Sequence, residues 1–516
     1  MDKVMLKMEN ITKIYPNGFI ANKNITFEVE QGEIHALVGE NGAGKTTLMK
    51  ILFGMEEAQE GAIYVRGEKV RIHNQLDAIA KGIGMVHQHF MLLPSLTVAE
   101  NVVLGIEPLK RGLFDFNKAV EMTQAIADKY DFNLDARSKV EDLSVGLMQK
   151  VEILKTLIKG TKVLILDEPT AVLTPQETEE LFQQLFLLRD HGHSIIFISH
   201  KLGEIMRLCS RVTVLRNGSS QGTFNACGMD EAQISRLMVG RDVVMKIDKE
   251  LPKRGKVVAR LSNVVYTNES DKNVIDHLSF SVCEGEIVGI AGVEGNGQAQ
   301  LADVIAGLLD YLVGSVTING SEVKGKSIRQ VRGLGLAYIH EDRMRFGCAP
   351  QMSVKDNIIA DRYRSKEYSG RGLLRGSRIN KIVDQYITDF EIACDSHSQP
   401  LRMLSGGNIQ KVVIAREFTS ASNFIIANQP TRGIDVGTTE MIRKTLIKKA
   451  REDNTAVLLI SADLNEVLEV SDRLLVMRKG KIAAAFPKAG EVAEETLGEY
   501  MLGVKTMTSG EMEGLL

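Results

Sequence analysis

The stretch Gly32–Gly54 reads GEIHALVGENGAGKTTLMKILFG. Its hydrophobic pattern changes partway. Ile34–Gly39 is a nearly continuous apolar run, as expected for a strand buried on both faces. Lys45–Phe53 then carries apolar residues at helical spacing and stops at Gly54, a natural residue just past a helix end. Between them, Gly39-Glu-Asn-Gly-Ala-Gly44-Lys45-Thr46 satisfies the pattern G-x-x-x-x-G-K-[ST] at every position. Such glycines let backbone N–H groups turn inward around phosphates, and the helix N-terminus adds partial positive charge. Lys45 supplies a full charge. Two unit charges about 4 Å apart attract by about 4 kcal/mol at an effective dielectric near 20. Thr46 offers a hydroxyl to Mg²⁺. Gly39, Asn41, Gly42, Gly44, Lys45, Thr46 and Thr47 are therefore the expected contacts of a nucleotide's phosphates.

Working outward, the chain repeats itself. GEIVGIAGVEGNGQAQLADVIAG begins at Gly285, an offset of 253 residues from Gly32 that also relates Gly39 to Gly292 and Gly54 to Gly307. Later, LSVGLMQK and LSGGNIQK align Ser144 with Ser405, and KVLILDEPT and NFIIANQPT align Asp167 with Asn428, both at an offset of 261. Duplication with a small insertion accounts for both offsets. The expected domains are 1–242 and 257–505, joined by a charged linker over 243–256 and followed by a tail over 506–516. Each half alternates buried-strand runs (KVLILD, SIIFIS) with helical pattern, which gives an α/β fold class. The segment from Phe90 to Lys159 is richer in helical pattern and is expected to form a separate helical lobe.

The first half carries the chemistry. Asp167 and Glu168 end an apolar strand, where Asp167 would hold Mg²⁺ through water and Glu168 would polarise the attacking water. His200 follows the next such strand, in ISHK, and would contact the γ-phosphate. Gln88, in MVHQHF, reads as a sensor of Mg²⁺ and nucleotide, and Tyr15, in KIYPNG, as a stacking platform for adenine. In the second half Lys45 is matched by Gln298, Thr46 by Ala299, Gln88 by Glu341, Asp167 and Glu168 by Asn428 and Gln429, and His200 by Ala462.

Bulk properties narrow the function classes. The chain has 516 residues, which suggests about three to five domain-sized units. Its formal net charge is -3, without the basic excess of proteins that grip nucleic acid. Five cysteines with no CxxC pair argue against a disulfide framework or a zinc site. The opening MDKVMLKMEN lacks the apolar core of a signal peptide. No apolar run approaches the roughly 20 residues that span a bilayer. A membrane role would be peripheral.

Phosphate loop, LSxG-type signature, DEPT box and downstream histidine together resemble the ATP-binding cassette superfamily, over nearly the whole chain. The resemblance implies two tandem P-loop nucleotide-binding domains, each with a mainly parallel core sheet, an antiparallel β region and a helical lobe. It implies a head-to-tail sandwich, in which ATP lies between the phosphate loop of one cassette and the signature of the other. The first composite site then joins Lys45, Thr46, Gln88, Asp167, Glu168 and His200 to Ser405-Gly406-Gly407. The second joins Gln298, Ala299, Glu341, Asn428, Gln429 and Ala462 to the altered Ser144-Val145-Gly146. Every departure falls in the second, so ATP hydrolysis is expected at the first alone.

A tandem form with GVEGNGQ, HEDR and QPTRGIDVG resembles the ATPase subunits of bacterial importers for ribose, galactose and related solutes, and Gly84–Pro108 looks closest to the nucleoside branch. The resemblance implies ATP and Mg²⁺ as cofactors, two integral-membrane permease subunits and an extracytoplasmic solute-binding lipoprotein as partners. It places the chain on the cytoplasmic face of the membrane, docked through Gln88 and Phe90–Glu100. The rival is a twin-cassette ATPase of the ribosome, but such proteins join their cassettes by a long basic helical linker and keep both sites.

Overall fold

The computed structural model describes residues 4–16, 18–40, 42–87, 90–170, 173–199, 201–240, 249–268, 272–293, 295–370 and 372–516. The chain divides into two compact units, Met1–Val243 and Val244–Leu516.

In the first unit a six-stranded sheet runs in the order Ser219–Asn225, Arg211–Arg216, Ile34–Gly39, Ser194–Ile198, Val163–Asp167, Ile83–Val86. Neighbouring strands are parallel except Ser219–Asn225, which pairs antiparallel at one edge. Ile34–Gly39, Ser194–Ile198 and Ile83–Val86 are buried throughout, as continuous apolar runs between helical layers should be. A second, antiparallel sheet orders Ile20–Glu30, Val4–Ile14, Glu60–Val65 and Glu68–Val70. Phe27, Leu37, Leu48, Met49, Ile63 and Ile165 share one apolar cluster between the two sheets and the helix Lys45–Leu52.

That helix buries Lys45, Leu48, Met49, Ile51 and Leu52, one face of a 3.6-residue period. It stops where predicted. Gly54 has φ 72°, and a Cβ there would stand 2.4 Å from the Asn74 carbonyl oxygen. The helical lobe holds Val98–Val102, Phe116–Lys129 and Val145–Leu157.

The second unit has the same architecture. Its six strands run Leu336–Ile339, Phe424–Asn428, Ala456–Ile460, Ile287–Ala291, Arg473–Arg478, Lys481–Phe486, with only the last antiparallel. Val257–Thr267, Asn273–Cys283, Val313–Ile318 and Ser321–Glu322 make its antiparallel sheet. Both chain stretches that border this unit pack on it. Arg254 pairs with Glu286 at 2.8 Å, and the Gly255 N–H donates to the Glu284 carbonyl at 2.9 Å. Residues 506–516, expected as a tail, also find partners there: Met512 is buried in the apolar cluster and Ser281 donates to the Leu516 carbonyl at 3.2 Å.

Candidate nucleotide site

The phosphate loop of the first unit joins the strand Ile34–Gly39 to the helix Lys45–Leu52. Its glycines are dictated by close approach. A Cβ on Gly39 would meet the Leu215 carbonyl oxygen at 2.3 Å, and one on Gly44, whose φ is 100°, the Ala21 oxygen at 2.3 Å. Lys45 is 7% exposed, and its ammonium donates to the carbonyls of Gly39 at 2.6 Å and Glu40 at 3.0 Å. Burial depresses its pKa, opposed by the charges of Glu168, Asp167 and Glu40. Thr46, in the first helical turn, is exposed.

Asp167 ends the strand Val163–Asp167. Burial, and then the adjacent Glu168 charge, push its carboxyl up to about 6, against the pull of Lys45 and Lys50. Glu168 adopts φ 50°, a left-handed backbone that a non-glycine residue holds at a cost of about 1–3 kcal/mol. Its N–H is tied to the Ile198 carbonyl at 2.9 Å. The sheet thus brings Lys45, Asp167 and Glu168 together. Asn41, Gln88 and His200 lie outside the described residues.

This donor set fits a nucleotide's phosphates. A buried ammonium that donates to two carbonyl dipoles favours an anion beside it. A carboxylate whose charge is disfavoured by burial and by a second carboxylate is stabilised by a cation placed beside it. Among the described residues no group of three or more His, Cys, Asp or Glu side chains could hold a metal by itself. A divalent ion here would need phosphate oxygens to complete its shell, as Mg²⁺ ordinarily does.

Tyr15 donates to Glu56 at 2.9 Å and lies 3.4 Å, hydroxyl to hydroxyl, from Thr47. Its ring stacks with Phe19 at 6.4 Å between centroids, and Lys13 sits 5.4 Å over it. Phe19, Lys13 and Lys50 were missed by motif reading. So was Asn22, which is fully buried and donates to the Gly44 carbonyl at 3.0 Å, holding the loop from behind. It stands 22 residues before the loop's Gly44, beyond the reach of any local motif.

The second unit keeps the cradle without the charges. Gly297, at φ 103°, is pressed against the Val274 carbonyl as Gly44 is against Ala21. Gln298, 9% exposed, donates to the Val293 carbonyl at 3.0 Å, the counterpart of the Lys45–Glu40 contact. Asn428 is 1% exposed, and its amide nitrogen finds no hydrogen-bond partner. Gln429 retains the left-handed backbone at φ 51°, with its side chain accepting from the Ala462 N–H at 3.2 Å. At the position matching Lys50 stands Asp303, which accepts from Tyr338 at 2.9 Å. Ile275 replaces Asn22.

Each signature begins a helix of its own unit. Ser144 caps Val145–Leu157, accepting from Leu147 N–H at 3.3 Å and donating to Glu177 at 3.4 Å. A Cβ on Gly146 would meet that same Glu177 carboxylate at 2.5 Å. Ser405 caps Gly406–Phe418 and accepts from the Asn408 N–H at 3.4 Å.

Comparison with known proteins agrees with this chemistry. The chain is 42% identical over 510 residues to the guanosine import ATP-binding protein NupO of Bacillus subtilis (strain 168), covering 99% of both chains. It is 41% identical to the glucose import ATP-binding protein TsgD13 of Haloferax volcanii, covering 92% of each. Identity to the nucleoside import ATP-binding protein NupA of Lactococcus lactis subsp. cremoris is 39%, covering 98% of each. The archaeal ribosome recycling factor aABCE1, solved with ribosomal stalk protein aP1, superposes with a TM-score of 0.59 over 92% of this chain and 89% of its own. At 17% identity this shows shared fold alone. The profile described as ABC transporter matches residues 22–171 and again 275–432. With its phosphate loop, carboxylate pair and duplicated signature, the chain belongs to the ABC transporter family, as an ATPase component.

Proposed function

We propose that this chain powers the import of a nucleoside, hydrolysing Mg²⁺-bound ATP at one composite site. That site joins Lys45, Thr46, Gln88, Asp167, Glu168 and His200 of the first cassette (1–242) to Ser405, Gly406 and Gly407 of the second (257–505). Tyr15 is the adenine platform. One observation carries the asymmetry: Gln298, Ala299, Asn428 and Gln429 occupy a backbone cradle otherwise like the first. Drift would scatter losses, whereas here they gather in the partner site of Ser144-Val145-Gly146. Losing one preorganised catalytic group costs about 3–4 kcal/mol, and the second site lacks several.

The chain works at the cytoplasmic face of the membrane, beside two permease subunits and a solute-binding lipoprotein. No helix among the described residues is long and apolar enough to cross a membrane. The nucleoside reading is supported by two of the relatives named above, and the glucose-importing relative keeps a simple sugar as second reading. Uptake of labelled guanosine, adenosine, ribose and glucose by cells with and without the gene decides between them. Loss of sugar uptake with nucleoside uptake unchanged would sink the nucleoside reading.

A further inference from the structure

The segment 340–347, HEDRMRFG, leaves the core strand Leu336–Ile339 and tightens into a π-helical turn over Arg343–Gly347. Such turns are rare and gather at functional positions. Asp342 caps this one, accepting from the N–H groups of Met344 at 3.1 Å and Arg345 at 3.0 Å. The capped turn aims Arg343 across the unit. Its guanidinium donates to the carbonyl of Arg432 at 2.8 Å and of Gly433 at 3.4 Å. The same end of the side chain lies against the signature, where a Cβ on Gly406 would stand 3.0 Å from the Arg343 Nη2. Gly407 is hemmed from the other side, with Asp435 Oδ2 2.9 Å from where its Cβ would be.

The first unit lacks this arrangement. The Met91 carbonyl accepts from Lys155 as the Gly347 carbonyl accepts from Arg416, so Phe90 corresponds to Phe346 and Arg343 lies in a short insertion that the first unit does not have; Val145 stands at the position matching Gly406. The arginine occurs in the unit whose signature carries glycine, and the unit whose signature carries valine has no counterpart to it. The steric relation explains the pairing: a valine side chain at Gly406 would occupy the space of the guanidinium. The arginine therefore accompanies the intact signature.

We propose that Arg343 is a positioning residue for ATP hydrolysis, clamping Ser405-Gly406-Gly407 to the turn at Arg432–Gly433 so that the signature meets ATP preset. This rests on the composite-site reading above. Arginine suits the task, because its planar fork bridges two acceptors at fixed spacing, and two contacts leave three of its five N–H groups for the signature side. Lysine can reach two carbonyls, but its compact ammonium has no planar fork to face the signature at the same time.

The test is steady-state ATPase of the full chain with Arg343→Ala, Arg343→Gln and Arg343→Lys, beside Gly406→Asp as a direct signature lesion. A misplaced signature should lower kcat about tenfold to a hundredfold, less than the roughly hundredfold to thousandfold that loss of a direct preorganised contact costs. Equilibrium ATP binding should stay within about twofold of the parent, since the phosphate loop that carries Lys45 and Thr46 belongs to the first unit and is untouched. A lesion that merely unfolded the protein would lose both. Arg343→Lys should recover only part of kcat, and millimolar guanidinium should raise kcat of Arg343→Ala but not of the parent. Should Arg343→Ala fail to fold, Arg343→Gln keeps the length without the charge and carries the test. If Gly406→Asp abolishes turnover while Arg343→Ala and Arg343→Gln keep parental kcat, the inference is wrong. If Gly406→Asp itself leaves turnover intact, the composite-site reading fails instead.

Discussion

At the level of single residues, the carboxylate pair sets both the chemistry and its cost. Glu168 is held in a left-handed backbone, with its N–H bonded to the Ile198 carbonyl, just past the end of the strand Val163–Asp167. Glu168→Gln should abolish turnover while ATP remains bound, measurable as retained labelled ATP without phosphate release. Gln429→Glu should restore nothing, because Gln298, Ala299 and Asn428 still supply neither charge nor metal ligand. Asp167 gives a second, independent prediction. Its pKa rises in the fold from 3.8 to about 6, chiefly through burial. Between those values the folded state holds a proton that the unfolded chain has lost, so nucleotide-free stability falls as pH rises through the window. Asp167→Asn should remove that penalty and raise the Tm of the nucleotide-free protein at pH 7, by about 1–3 kcal/mol of stability. The gain should shrink toward pH 4, and Mg²⁺-dependent ATP hydrolysis should be lost. A variant no more stable than the parent at pH 7 would contradict this account.

Among elements, the duplicated units show what each piece is for. The buried pair Glu33–Arg211, at 2.6 Å, ties the start of the strand Ile34–Gly39 to the strand beside it, and Glu286–Arg473, at 2.9 Å, repeats it in the second unit. Burial alone would raise Glu33, but hydrogen bonds from His35 and Arg211 hold it at about 2. The framework pair survives where Lys45, Thr46, Asp167 and Glu168 do not, because sheet assembly is needed in both units. Arg473→Ala leaves the fully buried Glu286 with Arg254 and the Cys283 N–H, so about 3 kcal/mol of stability should be lost, toward the low end for a broken buried pair; urea unfolding measures it. The loop support differs between units. Asn22→Ala should loosen the Gly44 carbonyl and weaken ATP binding severalfold in an equilibrium titration, since a buried acceptor left unpaired costs about 1–3 kcal/mol.

For the molecule as a whole, the proposed contact with permeases runs through 90–100. The structure changes how that surface is tested. Met91 is 61% exposed and Leu93 49%, whereas Glu100 is committed to a capping box with Thr97. The exposed face is apolar, so reversing a charge there would break a helix cap rather than probe docking. Met91 is also held to the signature helix Val145–Leu157: its N–H donates to Glu152 at 2.5 Å and its carbonyl accepts from Lys155 at 2.7 Å. A push on this segment therefore reaches the helix capped by Ser144. Met91→Glu and Leu93→Glu should abolish solute uptake and leave ATP binding by the free chain unchanged. Unaltered uptake would place the docking surface elsewhere.

The sequence by itself determined the duplicated α/β fold, the phosphate loop and the unequal halves. These depend on local period and on residue types at short fixed spacing, and a strand–loop–helix declares itself within about 20 residues. Gly39, Gly44, Lys45 and the Asp167–Glu168 pair were legible for that reason. Only the tertiary structure decided which distant groups act on them. The amide of Asn22 behind the loop, the field of Lys50 at Asp167 and the reach of Arg343 to Gly406 join residues 22, 117 and 63 positions apart, brought together by the packing of each unit. The burial that pushes Asp167 to about 6, and the left-handed backbone of Glu168, likewise arise from sheet packing, which no single segment encodes.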